Sequence, residues 1–286
     1  MTKSKQITFN EYRYQLLPIS QHIQIDAQQR GEVASLDDLK AKKNIFLCKI
    51  INEIKEFIYA RGTIVHKLLW VDELIFILQL GIERDLKRTT REFTKEQIEH
   101  WPTVYVVFYN NPLIQKCLIQ QGGGFQNTST VASIIETTLN QYLSHYHLAI
   151  AFEPIYEQEY FWDLVQRYEG RIMQIDFELI SPNMSNISAS LNLDLTNLNK
   201  STNTQKTHLQ LNSDPKAYLT PSQNDPLISN IVEYSSQGGG NISVRARGVK
   251  KKMNTSKGVN EVNISELSIE GASPEALAAL FRELLR

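Results

Sequence analysis

Six basic residues lie close together near the C-terminal end of the chain, where they could contact a polyanion. From Gly238 to Gly258 the sequence contains no acidic residue. The six basic residues are Arg245, Arg247, Lys250, Lys251, Lys252 and Lys257. The formal net charge of the whole chain is -1, so the remainder carries an acidic excess. Positive charge concentrated in a near-neutral protein predicts a local electrostatic site, and the usual partner of such a site is a polyanion.

An extended backbone would divide this basic stretch into two faces. Because side chains alternate across a strand, Ile242, Val244 and Ala246 would share one face, and Arg245 and Arg247 the other. The apolar face can then pack on a core while the arginines meet phosphates. Three interpretations remain open: a nucleic-acid site, a solvated hairpin whose lysines protect an edge strand, and a site for an anionic protein or nucleotide.

A second group of basic residues follows the apolar run Leu74–Leu78. It consists of Arg84, Lys87, Arg88 and Arg91. If this segment is extended, it can pair back with the preceding strand as a hairpin. We therefore predict a second, smaller nucleic-acid-binding patch here.

Two carboxylates suggest an alternative, enzymatic chemistry. Asp176 and Glu178 would lie on one face of a strand, as the metal-binding acids of nucleases can, and Glu153 is a third candidate. Restriction-type nucleases place a lysine two residues after the second acid, but position 180 is Ile. Solvated or salt-bridged acids are therefore favoured, and no catalytic residue, metal or cofactor is predicted.

The sequence Gln-Gly-Gly-Gly occurs twice, with its glycines at 122–124 and at 238–240. Neither occurrence continues into the Lys-Ser/Thr of a P-loop, so both are predicted to be turns. The first precedes a helix expected to begin near Thr128, which makes it the better phosphate-binding candidate of the two.

The hydrophobic pattern mixes strands and helices along the whole chain. Predicted strands cover Ile7–Leu17, Thr103–Tyr109, Leu148–Phe152, Ile172–Ile180, the basic stretch and, next to it, Val259–Glu270. Predicted helices cover Ser35–Arg61, Thr128–Tyr146, Glu157–Tyr168, Asp225–Tyr234 and the segment that follows Ser273-Pro274. This order, with its hairpin-like antiparallel pieces, predicts an α+β fold of mixed or antiparallel sheets flanked by helices.

Two lobes are compatible with this order, one at 1–155 and one at 156–286. The second would carry a surface insert rich in Ser, Asn and Thr at 183–224. Its first part, Asn183–Thr207, has the composition of a linker.

The sequence also predicts a cytoplasmic protein without a membrane partner. No apolar segment of a signal peptide follows the first residues. The most apolar window, Leu68–Ile82, is interrupted by Asp72 and Glu73. The two cysteines, Cys48 and Cys117, do not have the spacing of a zinc site or a redox motif.

The leading hypothesis is a non-enzymatic protein that binds or senses nucleic acid, DNA or RNA. A mid-sized α+β chain without a catalytic signature is typical of accessory proteins, so we expect an accessory subunit of a bacterial antiviral-defence or mobile-element system. The alternatives are the metal-dependent nuclease or phosphodiesterase, and a scaffold subunit. The apolar faces of the Ser35–Arg61 helix and the C-terminal helix would serve a protein partner or a homo-oligomer.

Overall fold

The computed structural model describes residues 5–20, 33–180 and 195–286. In that part of the chain it has thirteen strands in antiparallel sheets and six helices, which confirms the α+β prediction. The strands are β1 (Gln6–Pro18), β2 (Ile64–Val71), β3 (Ile75–Ile82), β4 (Arg84–Thr89), β5 (Lys95–His100), β6 (Thr103–Tyr109), β7 (Lys116–Gln120), β8 (Leu148–Pro154), β9 (Ile172–Ile180), β10 (Lys206–Asn212), β11 (Gly240–Ala246), β12 (Met253–Asn254) and β13 (Glu261–Ser265). The helices are α1 (Leu36–Glu53), α2 (Thr128–Leu143), α3 (Gln158–Arg167), α4 (Leu195–Thr202), α5 (Pro226–Tyr234) and α6 (Pro274–Leu284).

Packing divides the chain into two compact units. The described residues within 1–10, 42–146 and 261–286 form the first unit, and those within 11–41 and 147–260 form the second. The two lobes predicted at 1–155 and 156–286 stay a prediction. No helix in the described residues is long and apolar enough to cross a membrane.

The first unit is built on a sheet with the strand order β13-β1-β7-β6-β3-β2, to which β1 contributes its first residues. β3 is buried along almost its whole length, as its apolar sequence requires. One side of the sheet packs against α6, where the rings of Phe9 and Phe281 meet edge-to-face with their centroids 5.5 Å apart. Ser273 caps α6 by accepting a hydrogen bond from the amide of Ala276.

Helix α1 begins as predicted but is shorter than expected. The Ser35 hydroxyl accepts a hydrogen bond from the Asp38 amide at 3.1 Å, which caps the helix start. The predicted end near Arg61 is wrong, because α1 ends at Glu53. Beyond it Phe57 stays buried, while the Ile58 amide donates to the Thr138 hydroxyl instead of to a helical carbonyl. The apolar spacing therefore continues past the point where the backbone leaves the helix.

The basic segment around Arg84 forms a hairpin, but not with the strand predicted. β4 pairs with β5, from Arg84 opposite His100 to Thr89 opposite Lys95. The preceding strand, β3, has β2 on one edge and β6 on the other. Because both of its edges are occupied, β3 has no free edge for β4.

The second unit contains a four-stranded sheet with the order β10-β9-β11-β12. Helices α3 and α5 contribute Phe161, Ile231 and Val232 to the core on one side of it. Asp225 caps α5 through its carboxylate, and Pro226 occupies the first helical position. The later residues of β1 pair with β8 in this unit.

The predicted neighbour of the basic strand is wrong. β13 covers only Glu261–Ser265 and pairs with β1. The short strand β12 pairs with β11 instead. After β12 a 3₁₀ turn carries the chain away from the sheet, and its Thr255 hydroxyl accepts a hydrogen bond from the Ile242 amide at 3.0 Å.

The predicted polar insert is partly a strand of this sheet. Residues 183–194 of the insert lie outside the described residues. The remainder contains α4 and β10, and β10 pairs with β9 from Lys206 opposite Ile180 to Asn212 opposite Gln174.

Candidate nucleic-acid interface

The four-stranded sheet of the second unit presents a polar face opposite its core. β9 and β11 bury Phe177, Ile242 and Val244 on the core side. Their alternate residues, with those of β10, form what we call the polar sheet face, in three rows across the strands. The rows are His208–Glu178–Asn241, Gln210–Asp176–Ser243 and Asn212–Gln174–Arg245. All nine side chains are partly or fully exposed, so the strand facing predicted for Arg245 is confirmed.

The basic segment, defined here as residues 245–257, leaves one edge of this face. Its six basic residues come from the end of β11, the turn between β11 and β12, and the 3₁₀ turn after β12, and all six are exposed. The side chains of Arg245, Lys250, Lys251 and Lys257 have no ion-pair partner among the described residues. The ammonium nitrogen of Lys252 lies 4.0 Å from a carboxylate oxygen of Asp176. Four unneutralised cations on consecutive short elements suit the binding of a polyanion.

Arg247 differs from the other cations of the segment, because its guanidinium is hydrogen-bonded within the protein. Its Nη1 donates to the Tyr218 hydroxyl at 2.6 Å, and its Nη2 donates to the Pro215 carbonyl at 2.8 Å. The guanidinium carbon also lies 4.9 Å from the centroid of the Tyr218 ring. Arg247 therefore fastens the turn to the 215–218 segment, and its donors are largely engaged within the protein. Its sequence gives no signal of this, because the partners lie about 30 residues away.

Two of the three carboxylates proposed for a nuclease lie on the polar sheet face, next to cations. Asp176 is 3.4 Å from Nδ1 of His208, and Glu178 accepts from Lys206 at 2.8 Å. The third candidate, Glu153, lies on β8 opposite Arg13. In the described part of the chain, no three His, Cys, Asp or Glu side chains come together as a metal site requires. The sequence did not indicate that His208 and Lys206 would face these acids, since that depends on the register of β10.

The second predicted patch lies on the β4–β5 hairpin of the first unit. Arg84 donates to the Gly124 carbonyl from two nitrogens, at 2.7 and 3.1 Å. Arg88 forms an ion pair with Glu96 at 2.7 Å. Lys87 and Arg91 are exposed, without an ion-pair partner in the residues described. The hairpin brings acidic residues next to its basic ones, so this patch is close to neutral.

The two glycine triplets serve close packing. A Cβ on Gly240 would lie 1.9 Å from the carbonyl oxygen of Glu178, so only glycine lets β11 start beside β9 here. A Cβ on Gly123 would lie 2.3 Å from the carbonyl oxygen of Thr103. Before α2, the Asn127 side chain accepts from the Thr130 amide at 2.8 Å, so this amide is already satisfied.

Arg13 is a buried cation that the sequence did not single out. Burial lowers the pKa of its guanidinium to about 10, while the neighbouring Tyr234 acts in the opposite direction. Its Nη1 donates to the Gln237 carbonyl at 3.0 Å, and its side chain packs against Gly238. At neutral pH Arg13 stays charged and braces the turn that precedes β11.

Comparisons with protein-family models, with curated proteins and with solved structures found no match for this chain. The chemistry of the site is therefore inferred from its residues. The polar sheet face and the basic segment offer hydrogen-bonding groups and unneutralised cations, which are the groups that bind phosphates.

Proposed function

We propose that this protein binds nucleic acid, without catalysis, through the phosphate backbone. The observation that carries the proposal is the set of four exposed cations, Arg245, Lys250, Lys251 and Lys257, with no carboxylate partner among the described residues. Cations of this kind release condensed counterions when they meet phosphates, which favours binding. A binding or sensing subunit of a defence or mobile-element system would use such a site.

The polar sheet face supports phosphate contact more than base stacking. Among its nine side chains the only ring is that of His208. Proteins that stack single-stranded bases place several aromatic side chains along the strand. We therefore propose binding that depends weakly on sequence and strongly on charge.

Fluorescence anisotropy at different salt concentrations tests the proposal. Labelled single-stranded DNA, single-stranded RNA and duplex DNA of about 20 nucleotides would be titrated at about 50 and about 200 mM salt. With roughly four phosphates neutralised, log Kd should change with log salt at a slope of magnitude about 3.6 for duplex and about 2.8 for a single strand. Duplex affinity should then fall by about 100-fold over this range. Absence of binding to all three probes at the lower salt would refute the proposal.

The nuclease alternative is tested in the same samples. Mg²⁺ or Mn²⁺ would be added, and the length of each probe followed on a denaturing gel. A binder leaves the probes intact. Cleavage that is lost in an Asp176→Ala, Glu178→Ala variant would replace the binding proposal with the enzymatic one.

A further inference from the structure

A groove of about 530 Å³ lies in the second unit, away from the basic segment in sequence. One wall is α3 with the turn that follows it, and the other is the segment from Leu219 to Asn224. The Leu219 amide donates to the Ile172 carbonyl at 2.8 Å, and Asp225 caps α5 immediately after the segment. Both ends of the second wall are therefore fixed, so the groove is formed in advance of any ligand.

The lining of this groove combines an apolar floor with an acidic rim. Its apolar residues are Trp162, Val165, Ile172, Leu219 and Pro221. Its charged residues are Glu159, Asp163 and Glu169, and the lining contains no basic residue. None of these three carboxylates forms an ion pair with a described residue. We call this site the acidic groove.

The helical spacing of α3 explains why its acidic residues lie along one rim of the groove. Residues four apart on a helix share a face, which places Glu159 and Asp163 along one rim. Glu169 lies just beyond the end of the helix. At 1.5 Å per residue, the distance from Glu159 to Glu169 is roughly 15 Å. An extended peptide of about five residues covers the same length.

We propose that the acidic groove binds an extended, arginine- or lysine-containing segment of a partner protein. A guanidinium can pair with a carboxylate and also pack on an indole ring, and Trp162 supplies the ring. The methylene stem of each basic side chain would lie on the apolar floor. In an extended segment, alternate residues point the same way about 6.6 Å apart, which suits acids spread along one rim.

A separate partner fits this groove better than a second copy of the chain does. In a second copy, the cations available to the groove would be those of the basic segment. That segment includes a turn, and its Arg247 donates a hydrogen bond to Tyr218. The turn therefore does not present its cations along an extended strand, as the groove requires. Nucleic acid is excluded from the acidic groove by charge, so this inference adds a second site to the proposed function and does not depend on it.

A labelled peptide tests the inference. The probe is fluorescein-Gly-Arg-Leu-Arg-Leu-Arg-Gly, and its control carries Glu at the three Arg positions. The protein variant is Glu159→Gln, Asp163→Asn, Glu169→Gln, which keeps side-chain size. Its matched control is Glu56→Gln, Glu83→Gln, Glu92→Gln, three exposed acids outside the groove with the same change in net charge. Anisotropy gives the affinity of each.

We expect the wild type and the matched control to bind the arginine peptide with the same affinity. The groove variant should bind it at least about tenfold more weakly, which is a difference of about 1.4 kcal/mol in binding free energy. An equal loss in both variants would show nonspecific attraction and overturn the inference. So would a failure of the wild type to prefer the arginine peptide over the glutamate one. Mass measurement in solution tests a second copy as the occupant. If the wild type is an oligomer and the groove variant is a monomer, the groove binds a second copy of the chain instead. Nucleic-acid affinity should not fall in the groove variant, which separates this test from that of the proposed function.

Discussion

Two stretches of the chain are rich in cations, and they differ in what surrounds those cations. The β4–β5 hairpin, from Arg84 to His100, contains five basic and four acidic residues. The basic segment contains six basic residues, and no acidic residue occurs between Gly238 and Gly258. In the hairpin, cross-strand pairing places Arg88 against Glu96. Acids that share a hairpin with cations cancel most of the field that a polyanion would meet.

The two stretches also differ in what lies beneath them. β11 alternates buried and exposed residues, and its buried side packs on the core of the second unit. In β4 every residue is exposed, and in β5 only Ile98 is partly buried. Cations on a backbone held by a core lose less conformational freedom when they bind. The two stretches therefore differ in anchoring and local neutralisation more than in their number of basic residues, and we expect these two properties to distinguish the proposed binding site.

The largest effect is expected from a charge placed under β11. Val244→Asp buries an unpaired carboxylate, since Val244 is 0% exposed, and it should lower the free energy of unfolding by about 4 kcal/mol. Leu86→Asp is the matched change on β4, where Leu86 is 47% exposed, and it should cost less than about 0.5 kcal/mol. Urea denaturation measures both. Similar losses in the two variants would mean that β11 is not anchored differently from β4.

The second effect concerns binding. Reversing Arg245, Lys250 and Lys251 to Glu should weaken nucleic-acid binding by about 100-fold at low salt, because three phosphate contacts become repulsive. Reversing Lys87, Arg91 and Lys95 in the hairpin changes the net charge equally and should weaken binding by less than about threefold, because those side chains lie outside the site.

Anisotropy titration measures this pair of variants, and thermal melting checks that each remains folded. All six substituted residues are exposed, so both variants should melt near the wild type. An equal loss of binding in the two variants would show that net charge alone governs association, and the comparison between the segments would fail.

Local patterns in the sequence predicted which residues face the core. The alternation in Ile172–Ile180 and in the basic stretch places Phe177, Val244 and Ala246 inward, and the structure buries all three. The caps of α5 and α6 were also predictable, because Asp or Ser before Pro is a helix-start signal. These features depend on a few neighbouring residues, which is the range over which a single sequence is informative.

The neighbours of each strand could not be predicted in the same way. β13 pairs with β1, from Gln6 opposite Ser265 to Asn10 opposite Glu261, across more than 250 residues of chain. Alternation fixes the two faces of a strand but does not identify the strand beside it. The ion pairs of Asp176 depend on its strand neighbours, and the contacts of Arg247 depend on the distant segment 215–218, so both became visible only in the structure.

The smallest effect is expected from Arg247, whose contacts within the protein distinguish it from the cations proposed to bind phosphates. Arg247→Ala removes two hydrogen bonds and the contact with the Tyr218 ring. Because the side chain is exposed, we expect the free energy of unfolding to fall by only about 1 kcal/mol. Nucleic-acid affinity should change by less than about twofold with the same salt slope, because the guanidinium is engaged within the protein. Arg88→Ala, the matched change in the hairpin, removes one exposed ion pair and should cost less than about 0.5 kcal/mol.

Arg247→Lys sharpens this last test, because it keeps the positive charge and loses the planar fork that reaches Tyr218 and Pro215 together. It should be nearly as destabilised as Arg247→Ala while binding nucleic acid like the wild type. The opposite result would be an Arg247→Ala variant with the stability of the wild type and a slope of log Kd against log salt that is smaller by about one. That result would return Arg247 to the phosphate-binding set, and the basic segment would then bind through five cations rather than four.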